Sequence, residues 1–453
     1  MAEFTRYDQA ARQLKLLSQA LDSGRLGPVR RLVNTLSPAE IGDLLESLPL
    51  NQRLIVWGLV DPEDDGEVLV HVGDDVRASL ISDMDTQELV AAADTLDIDD
   101  LADLVEDLPG NLVDEVLKSM DRENRDRLEQ VLSYPEYTAG RLMNPELVTV
   151  RADVSVDVVL RYLRMRGELP SNTNHVYVVS RRHQYLGRIT LATLVTSDPD
   201  ALINELMDTT VAPISVGASD QDVAKEFADY DLISAPVVDD NNVLLGRITV
   251  DDVVDVIREE AEDTVRNMAG LSEDEDLFSP VRRSARSRAI WLGINLATAF
   301  LASWVIGNFE ATLQQVVALA VLMPIVASMG GVAGTQTLTM IVRGIALGQV
   351  ASGNVRRLLN KELLVAALNG MLWSLVVGVV AALWFSDPMI GVVIAAAMAI
   401  NLMAAALAGV MIPIMLKRMN IDPALAGGVV LTTVTDCVGF LAFLGLGTVL
   451  LLR

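Results

Sequence analysis

Asp436 is the side chain in this 453-residue sequence best placed to do chemistry. It lies near the middle of the apolar run 424–452, just after Thr432, Thr433 and Thr435. A carboxylate at membrane depth is costly and by default marks an ion path. The competing reading is a structural carboxylate, protonated or hydrogen-bonded to a neighbouring helix. One carboxylate per chain makes no dehydrated cage. Two, brought together by a symmetric dimer, suit a divalent cation that keeps several waters, as Mg2+ does. The run 311–342 offers further polar surface in Thr335, Gln336, Thr337 and Thr339, beside Pro324, Gly330, Gly331 and Gly334. Such a segment reads either as a kinked pore-lining helix or as a helix packed closely through its small residues. Catalysis finds little footing. There are three histidines (His71, His175, His183) and one cysteine (Cys437), with no phosphate loop and no dinucleotide fingerprint. A membrane hydrolase needs a nucleophile–base pair, and Asp436 beside Cys437 is not one, so the chain reads as a non-enzyme.

The elements around these residues divide by solvent. The first 280 residues hold 56 of the 61 acidic side chains and 24 of the 35 Lys and Arg, a formal charge of −32. The remaining 173 residues hold five acids (Glu310, Glu362, Asp387, Asp422, Asp436) and 11 bases, a charge of +6. Five apolar runs are long enough to span a bilayer: 289–307, 311–342, 363–386, 389–416 and 424–452. Asp436 is the one ionisable side chain deep within them. Arg282, Arg283, Arg286 and Arg288 precede the first run. Arg343, Arg356, Arg357 and Lys361 separate the second from the third, and Lys417 and Arg418 the fourth from the fifth. The opposite loops carry Glu310 and Asp387 and no base. Positive charge therefore puts the acidic part inside and Arg453 outside. Residues 1–20 have no apolar core, so no signal peptide is expected and the N-terminus is placed in the cytoplasm.

The acidic part reads as two modules. Residues 1–135 read as helical throughout. IGDLLESLP at 41–49 recurs as LADLVEDLP at 101–109, an offset of 60, with apolar positions at helical spacing. A small stack of repeated helix pairs follows. Between 141 and 262, LGRIT at 186–190 recurs at 245–249, an offset of 59. Each copy follows a β-rich run, HVYVV at 175–179 and APVV at 235–238, and precedes a helical stretch. This duplication resembles a tandem CBS pair, an α/β regulatory module that can also serve to dimerise. Glu259, Glu260, Glu262 and Asp263 then open a polar helix leading toward the first apolar run.

A helical acidic domain, a CBS pair, a connecting helix and five spans, in that order, resemble the MgtE family of magnesium channels and transporters over essentially the whole chain. The resemblance rests on YPEYTAGRLM at 134–143, VDDVVDVI at 250–257, Gly330 and Gly331 with Gly334 and Gln336, and DPAL at 422–425 with Asp436. It implies a homodimer with its pore between subunits, lined by spans two and five. Asp436 then holds a hydrated ion, aided by backbone oxygens of Gly428 and Thr432. It also implies cytosolic sites whose Mg2+ closes the pore. One falls on Asp99 and Asp103, facing the carbonyl of Gly140 and the side chain of Asp252. Another falls on Asp231 and Asp255 with the carbonyl of Ala228. A third lies at Glu260 and Asp263 within the acidic run Glu259 to Asp263, and Asp422 stands at the cytosolic mouth. Adenine nucleotides such as ATP bind the CBS clefts of some members. The chain departs from the family at Val332, where an asparagine is usual, and at Ser219 and Gln221, where acidic residues are expected beside Asp220 and Asp222.

The fold class expected is therefore multidomain. An acidic all-α superhelical domain (1–135) precedes an α/β tandem CBS pair (136–258), a connecting or plug helix (259–283) and a five-helix α transmembrane domain (284–453). The expected function is passive, Mg2+-selective uptake across the cell (inner) membrane, closed by Mg2+ on the cytosolic domains. Lipid and a second copy are the expected partners, with no nucleic acid. The alternatives are a CBS-regulated transporter of another divalent cation (Co2+, Mn2+) or another solute, and a receptor that signals without transporting.

Overall fold

The computed structural model describes residues 26–106, 108–271, 277–351 and 353–452, together with Leu17, Ala20 and Leu21. Expectations for 1–16, for 272–276 within the connecting segment and for Arg453 lie outside the described residues. The chain divides into two compact units. One reaches to Ala261 and includes Ser279; the other holds the segment from Glu262 and everything from Pro280 on.

The first unit opens with short helices: α1 (Leu26–Val33), α2 (Pro38–Glu46), α3 (Leu50–Trp57), α4 (Asp65–Val70), α5 (Asp74–Ile81), α6 (Thr86–Ala93), α7 (Ile98–Glu106), α8 (Gly110–Ser119) and α9 (Arg122–Leu132). Reciprocal caps start two of them. Ser37 accepts from the Glu40 amide while Glu40 accepts from the Ser37 amide, and Asp85 and Glu88 repeat the arrangement. The repeated apolar positions behave as their spacing predicts. Ile41, Leu44, Leu45 and Leu48, and likewise Leu101, Leu104, Val105 and Leu108, lie in one shared core. Alternate helices α2, α4, α6 and α8 pack on one another, giving the expected stack.

Next come α10 (Ala139–Leu142), β1 (Thr149–Arg151), α11 (Val156–Arg166), β2 (His175–Val179), β3 (Tyr185–Thr190), α12 (Leu191–Thr196) and α13 (Ile203–Leu206). The second copy contains β4 (Ile214–Ser215), α14 (Asp220–Tyr230), β5 (Ser234–Val238) and β6 (Leu244–Thr249). The two three-stranded sheets have the same order, one parallel and one antiparallel pair each. Register shifts fall at Val178/Val179 in one and at Val237/Val238 in the other, the same point of each repeat. The short helix α10 belongs to the second sheet's core rather than the first. The Ala139 and Gly140 amides donate to the Ala218 and Val216 carbonyls, and Ala139 and Met143 are buried with Ile214, Val237 and Ile248.

Helix α15 (Val250–Met268) leads out of the second copy. Beyond it lie α16 (Val281–Gly307), α17 (Glu310–Gln315), α18 (Val317–Ala346), α19 (Val355–Phe385), α20 (Pro388–Arg418) and α21 (Pro423–Leu451). Among the described residues five of these are long and apolar enough to cross a membrane, namely α16, α18, α19, α20 and α21. Helix α20 is the most enclosed, packed against α18, α19 and α21. Its contact with α19 is backbone-close, since a Cβ at Gly378 would lie 2.9 Å from the Gly391 carbonyl. The run 311–342 does break, but at Val316, where the backbone turns extended between α17 and α18. Pro324 is carried inside α18 without ending it.

Arg141 fixes α7 against the CBS pair. Buried on α10, it donates to the Ala102 carbonyl (2.8 Å) and pairs with Glu106 (2.7 Å). Arg141→Met should cost roughly 1–3 kcal/mol locally, because a buried carbonyl loses its donor. Hydrogen exchange checks this: α7 amides are expected to lose protection while α2 amides keep theirs, and unchanged α7 protection would refute the tie.

Candidate functional site

The polar residues of spans two and five meet in one cavity of about 800 Å3. Helix α18 lines it with Ala327, Ser328, Gly331, Val332, Thr335, Gln336 and Thr339, and α21 contributes Thr432 and Asp436. The α18 positions recur at steps of three and four, so they form one stripe along the helix. The helix presents this stripe on one face and its small residues on the opposite one. Gly330, Gly334 and Thr337 are buried on the other side, where a Cβ at Gly334 would touch Leu431 at 3.0 Å. Thr337 was expected to add to the lining but faces away. Its hydroxyl donates to Glu362 Oε2 at 3.4 Å. Val332 does reach the lining and is exposed, so apolar surface stands where the resemblance expects an amide.

Asp436 is half-buried at the cavity wall. Among the described residues it has no side-chain hydrogen bond or ion pair, so its oxygens are unclaimed by the protein. The neighbouring threonines return their hydroxyls to their own helix. Thr432 Oγ1 donates to the Gly428 and Val429 carbonyls (both 3.1 Å), Thr433 Oγ1 to Val429 (2.7 Å) and Thr435 Oγ1 to Thr432 (3.1 Å). Both backbone oxygens expected to serve an ion, those of Gly428 and Thr432, thus already accept one hydroxyl. Both residues are interior to α21, so each carbonyl also accepts the helical amide four residues on, and its two lone pairs are shared between that amide and the hydroxyl. Thr435 is fully buried and Thr433 is absent from the lining, leaving Thr432 as the threonine at the site.

At the start of α21, Asp422 is a helix cap whose Oδ1 accepts from the Ala424 amide (2.8 Å). Its Oδ2 accepts from Asn267 Nδ2 (3.0 Å), which links α15 to α21 within the second unit.

The acidic residues of the first unit converge where α7 meets the N-terminus of α15. Burial pushes Asp99 well above the ordinary carboxylate range, and the charges of Asp252, Asp100 and Asp97 add to it. Asp99 Oδ1 accepts from Asn144 Nδ2 (3.1 Å). Burial, then Asp97, Asp103, Asp251 and Asp255, hold Asp100 at about 7. Asp252 stands at about 7 through burial and Asp251, although the Thr249 amide (3.1 Å) and hydroxyl (2.9 Å) stabilise its charge. Asp99, Asp103 and Asp252 are therefore brought into one electrostatic group, with Asp100 and Asp251 as members the sequence reading did not name. Gly140 sits beside Tyr134 and Val216, too tightly for a Cβ.

The second expected site is looser. Ala228 and Asp231 lie on the exposed end of α14, with Asp231 in the left-handed conformation (φ 50°). Asp255 is raised by burial and acted on by His71, Arg258 and Asp251; Asp231 is not among its charged neighbours. At the third, Glu260 is raised by burial and by Asp220, the carboxylate between Ser219 and Gln221. Glu262 and Asp263 each pair with Arg266 at 3.3 Å, and Glu259 lies on the exposed face of α15. Among the described residues no three His, Cys, Asp or Glu side chains are arranged to hold a metal ion.

Two membrane residues escaped the sequence reading. Glu362 was assigned to the edge of span three, but α19 starts at Val355 and carries it inside, 4% exposed and paired with Lys361 (2.9 Å). Asn401, 1% exposed in span four, was passed over as one amide in an apolar run.

Comparison with known proteins sets these sites in context. The model of MgtE, described as a divalent cation transporter, matches residues 323–446. The MgtE intracellular N domain matches 36–137, and CBS domains match 139–199 and 203–259. The chain is 30% identical over 441 residues to the magnesium transporter MgtE of Thermus thermophilus, covering 96% of this chain and 98% of the other. It is 27% identical over 448 residues to that of Bacillus subtilis, covering 99% of both. The crystal structure of the cytosolic domain of the Mg2+ channel MgtE in complex with ATP is 30% identical and covers 53% of this chain and 98% of its own, with a TM-score of 0.48.

Carboxyls raised by packing favour the protonated state of that packing. Their contribution is complete below the ordinary carboxylate range and is lost as pH rises through about 7, where Asp100 and Asp252 titrate. In chelator, energy transfer between dyes on α8 and α14 should therefore be higher at pH 6 than at pH 8, and Asp252→Asn should flatten the difference. Equal transfer at both pH values in the unsubstituted chain would contradict this.

Proposed function

The chain belongs to the MgtE family, and on that premise we propose that it carries Mg2+ passively into the cell and is closed from inside by Mg2+ bound to its acidic soluble part. The observation that carries the reading is the cavity joining Asp436 and Thr432 to the polar stripe of α18. A carboxylate with no protein partner among the described residues, opposite hydroxyls and an amide, suits an ion that keeps its water. Mg2+ gives up water reluctantly and binds through one or two carboxylates. Two copies across a twofold axis supply the second carboxylate and the other half of the wall, so the transporting unit is a homodimer in lipid. Asp422, tied to Asn267, stands at the cytosolic mouth, with the N-terminus inside and the C-terminus outside. Nothing in this chemistry calls for catalysis, and no enzymatic activity is proposed.

The physics of passive entry calls for a gate. A divalent cation gains about 4.6 kcal/mol on entering across 100 mV. That is on the order of a thousandfold accumulation at equilibrium, so an ungated pore would overload the cell. The Asp99, Asp103, Gly140 and Asp252 group is the primary sensor in this reading. A cation there replaces mutual repulsion with a bridge between helical repeats and CBS pair. The sets at Ala228, Asp231 and Asp255 and at Glu259, Glu260, Glu262 and Asp263 are secondary sensors, their ligands assembling as the ion binds. Moving a gate from 1:99 to 99:1 takes about 5.5 kcal/mol. A site at tenfold its dissociation constant supplies about 1.4 kcal/mol, so about four suffice. ATP is a modulator in this scheme, as the family resemblance implies.

Complementation of cells lacking Mg2+ uptake tests the reading. The unsubstituted chain should restore growth and Asp436→Ala should lower Mg2+ uptake to the background of untransformed cells. Equal rescue by both would remove Asp436 from the path. In channel recordings, open probability should fall as internal Mg2+ rises from micromolar to millimolar, and a flat response would remove the gate.

A further inference from the structure

Asn401 is a polar side chain 1% exposed in α20, a helix that contributes nothing to the cavity. Its Nδ2 donates to the Val326 carbonyl of α18 at 2.9 Å. The amide is seated between two glycines on the two lining helices. A Cβ at Gly330 of α18 would overlap Nδ2, and a Cβ at Gly439 of α21 would lie 2.7 Å from the same atom. These contacts stand directly behind the cavity wall. Val326 precedes the lining residue Ala327, Gly330 precedes Gly331, and Gly439 is one helical turn beyond Asp436. The amide carbonyl, Oδ1, has no donor among the described residues. A leucine of similar size would fill the same space without an unpartnered polar atom. The position is thus explained by what its N–H group and flat shape do at two backbones rather than by packing alone.

We infer that Asn401 is a positioning residue that sets the spacing and register of α18 and α21 at the level of Asp436, and so the discrimination between Mg2+ and larger divalent cations. The inference rests on the transport reading above. Helices whose glycines grip one planar amide and share its hydrogen bond have one favoured separation. Without the wedge they settle at another, and the carboxylate shifts relative to the Thr335 and Gln336 stripe. Where reacting groups must meet, a misplacement of about 1 Å costs about a hundredfold in rate, and discrimination by fit is exposed to the same kind of loss.

The experiment measures Mg2+ and Ca2+ uptake per membrane-inserted full-length chain for the unsubstituted protein, Asn401→Ala, Gly330→Ala and the double variant. Asn401→Ala should keep measurable flux while lowering the Mg2+-to-Ca2+ ratio roughly tenfold. Gly330→Ala, whose new methyl meets the amide, should be more damaged than Asn401→Ala. Combining the two should recover flux relative to Gly330→Ala alone, because removing the amide makes room for that methyl, a non-additivity expected only of groups in contact. Asn401→Leu keeps the volume and loses the donor; it should lower the ratio in the same direction and substitutes for the alanine variant if that fails to reach the membrane. An unchanged ratio in Asn401→Ala or Asn401→Leu, or additive effects in the double variant, would overturn the role. An unsubstituted chain that carries no Mg2+ would instead overturn the transport reading itself, and this role with it.

Discussion

A charged carboxylate held at membrane depth must keep water or find a partner, and among the described residues Asp436 has no side-chain hydrogen bond or ion pair. That single constraint organises the membrane unit. It accounts for the hydroxyls and the amide that α18 presents on one stripe and for Gly330 and Gly334 on the opposite face. The wet face must be polar enough to hold water, and the dry face must be small enough for α20 and α21 to approach closely. It also explains why the neighbouring threonines turn their hydroxyls back onto α21. All three, Thr432 included, satisfy their hydroxyls locally, and of the α21 residues Thr432 and Asp436 line the cavity.

The soluble unit faces the reverse problem. Its carboxylates have abundant water, yet several are drawn together where α7 meets α15, and burial there raises them toward neutral pH. Such a junction is electrostatically unfinished: it repels itself until a proton or a cation enters. Arg141 ties the backbone of α7 through the Ala102 carbonyl, and Asn144 donates to the Asp99 carboxylate. It is on this self-repulsion that the proposed sensing of divalent cations rests.

Much of this was legible in the residues. The offsets of 60 and 59 marked two duplications, and the matching register shifts in the two sheets follow from the second. The five apolar runs and the place of Asp436 needed only hydropathy. What escaped depended on facing, which a one-dimensional pattern does not carry for helices apolar on every side. Thr335 and Thr337 are two residues apart, so one lines the cavity and the other meets Glu362. Glu362 itself was hidden by its neighbour Lys361, which looks like the end of a span until α19 is seen to begin seven residues before it. Asn401 lacks a charge to draw notice, and its meaning comes from Gly330 and Gly439, distant in sequence. The set at Ala228, Asp231 and Asp255 was reached only through family resemblance.

Solvent access along α18 tests the central claim most directly. In a chain with Cys437 replaced by serine, single cysteines at Ser328, Thr335, Thr337 and Thr339 would be challenged with a membrane-impermeant thiol reagent, with and without Mg2+. The account predicts labelling of Ser328→Cys, Thr335→Cys and Thr339→Cys, slowed by Mg2+, with Thr337→Cys unreactive. Unreactive cysteines at all four positions would show that no water-filled path runs past Asp436, and equal labelling of Thr337→Cys would contradict the confinement of that path to the stripe.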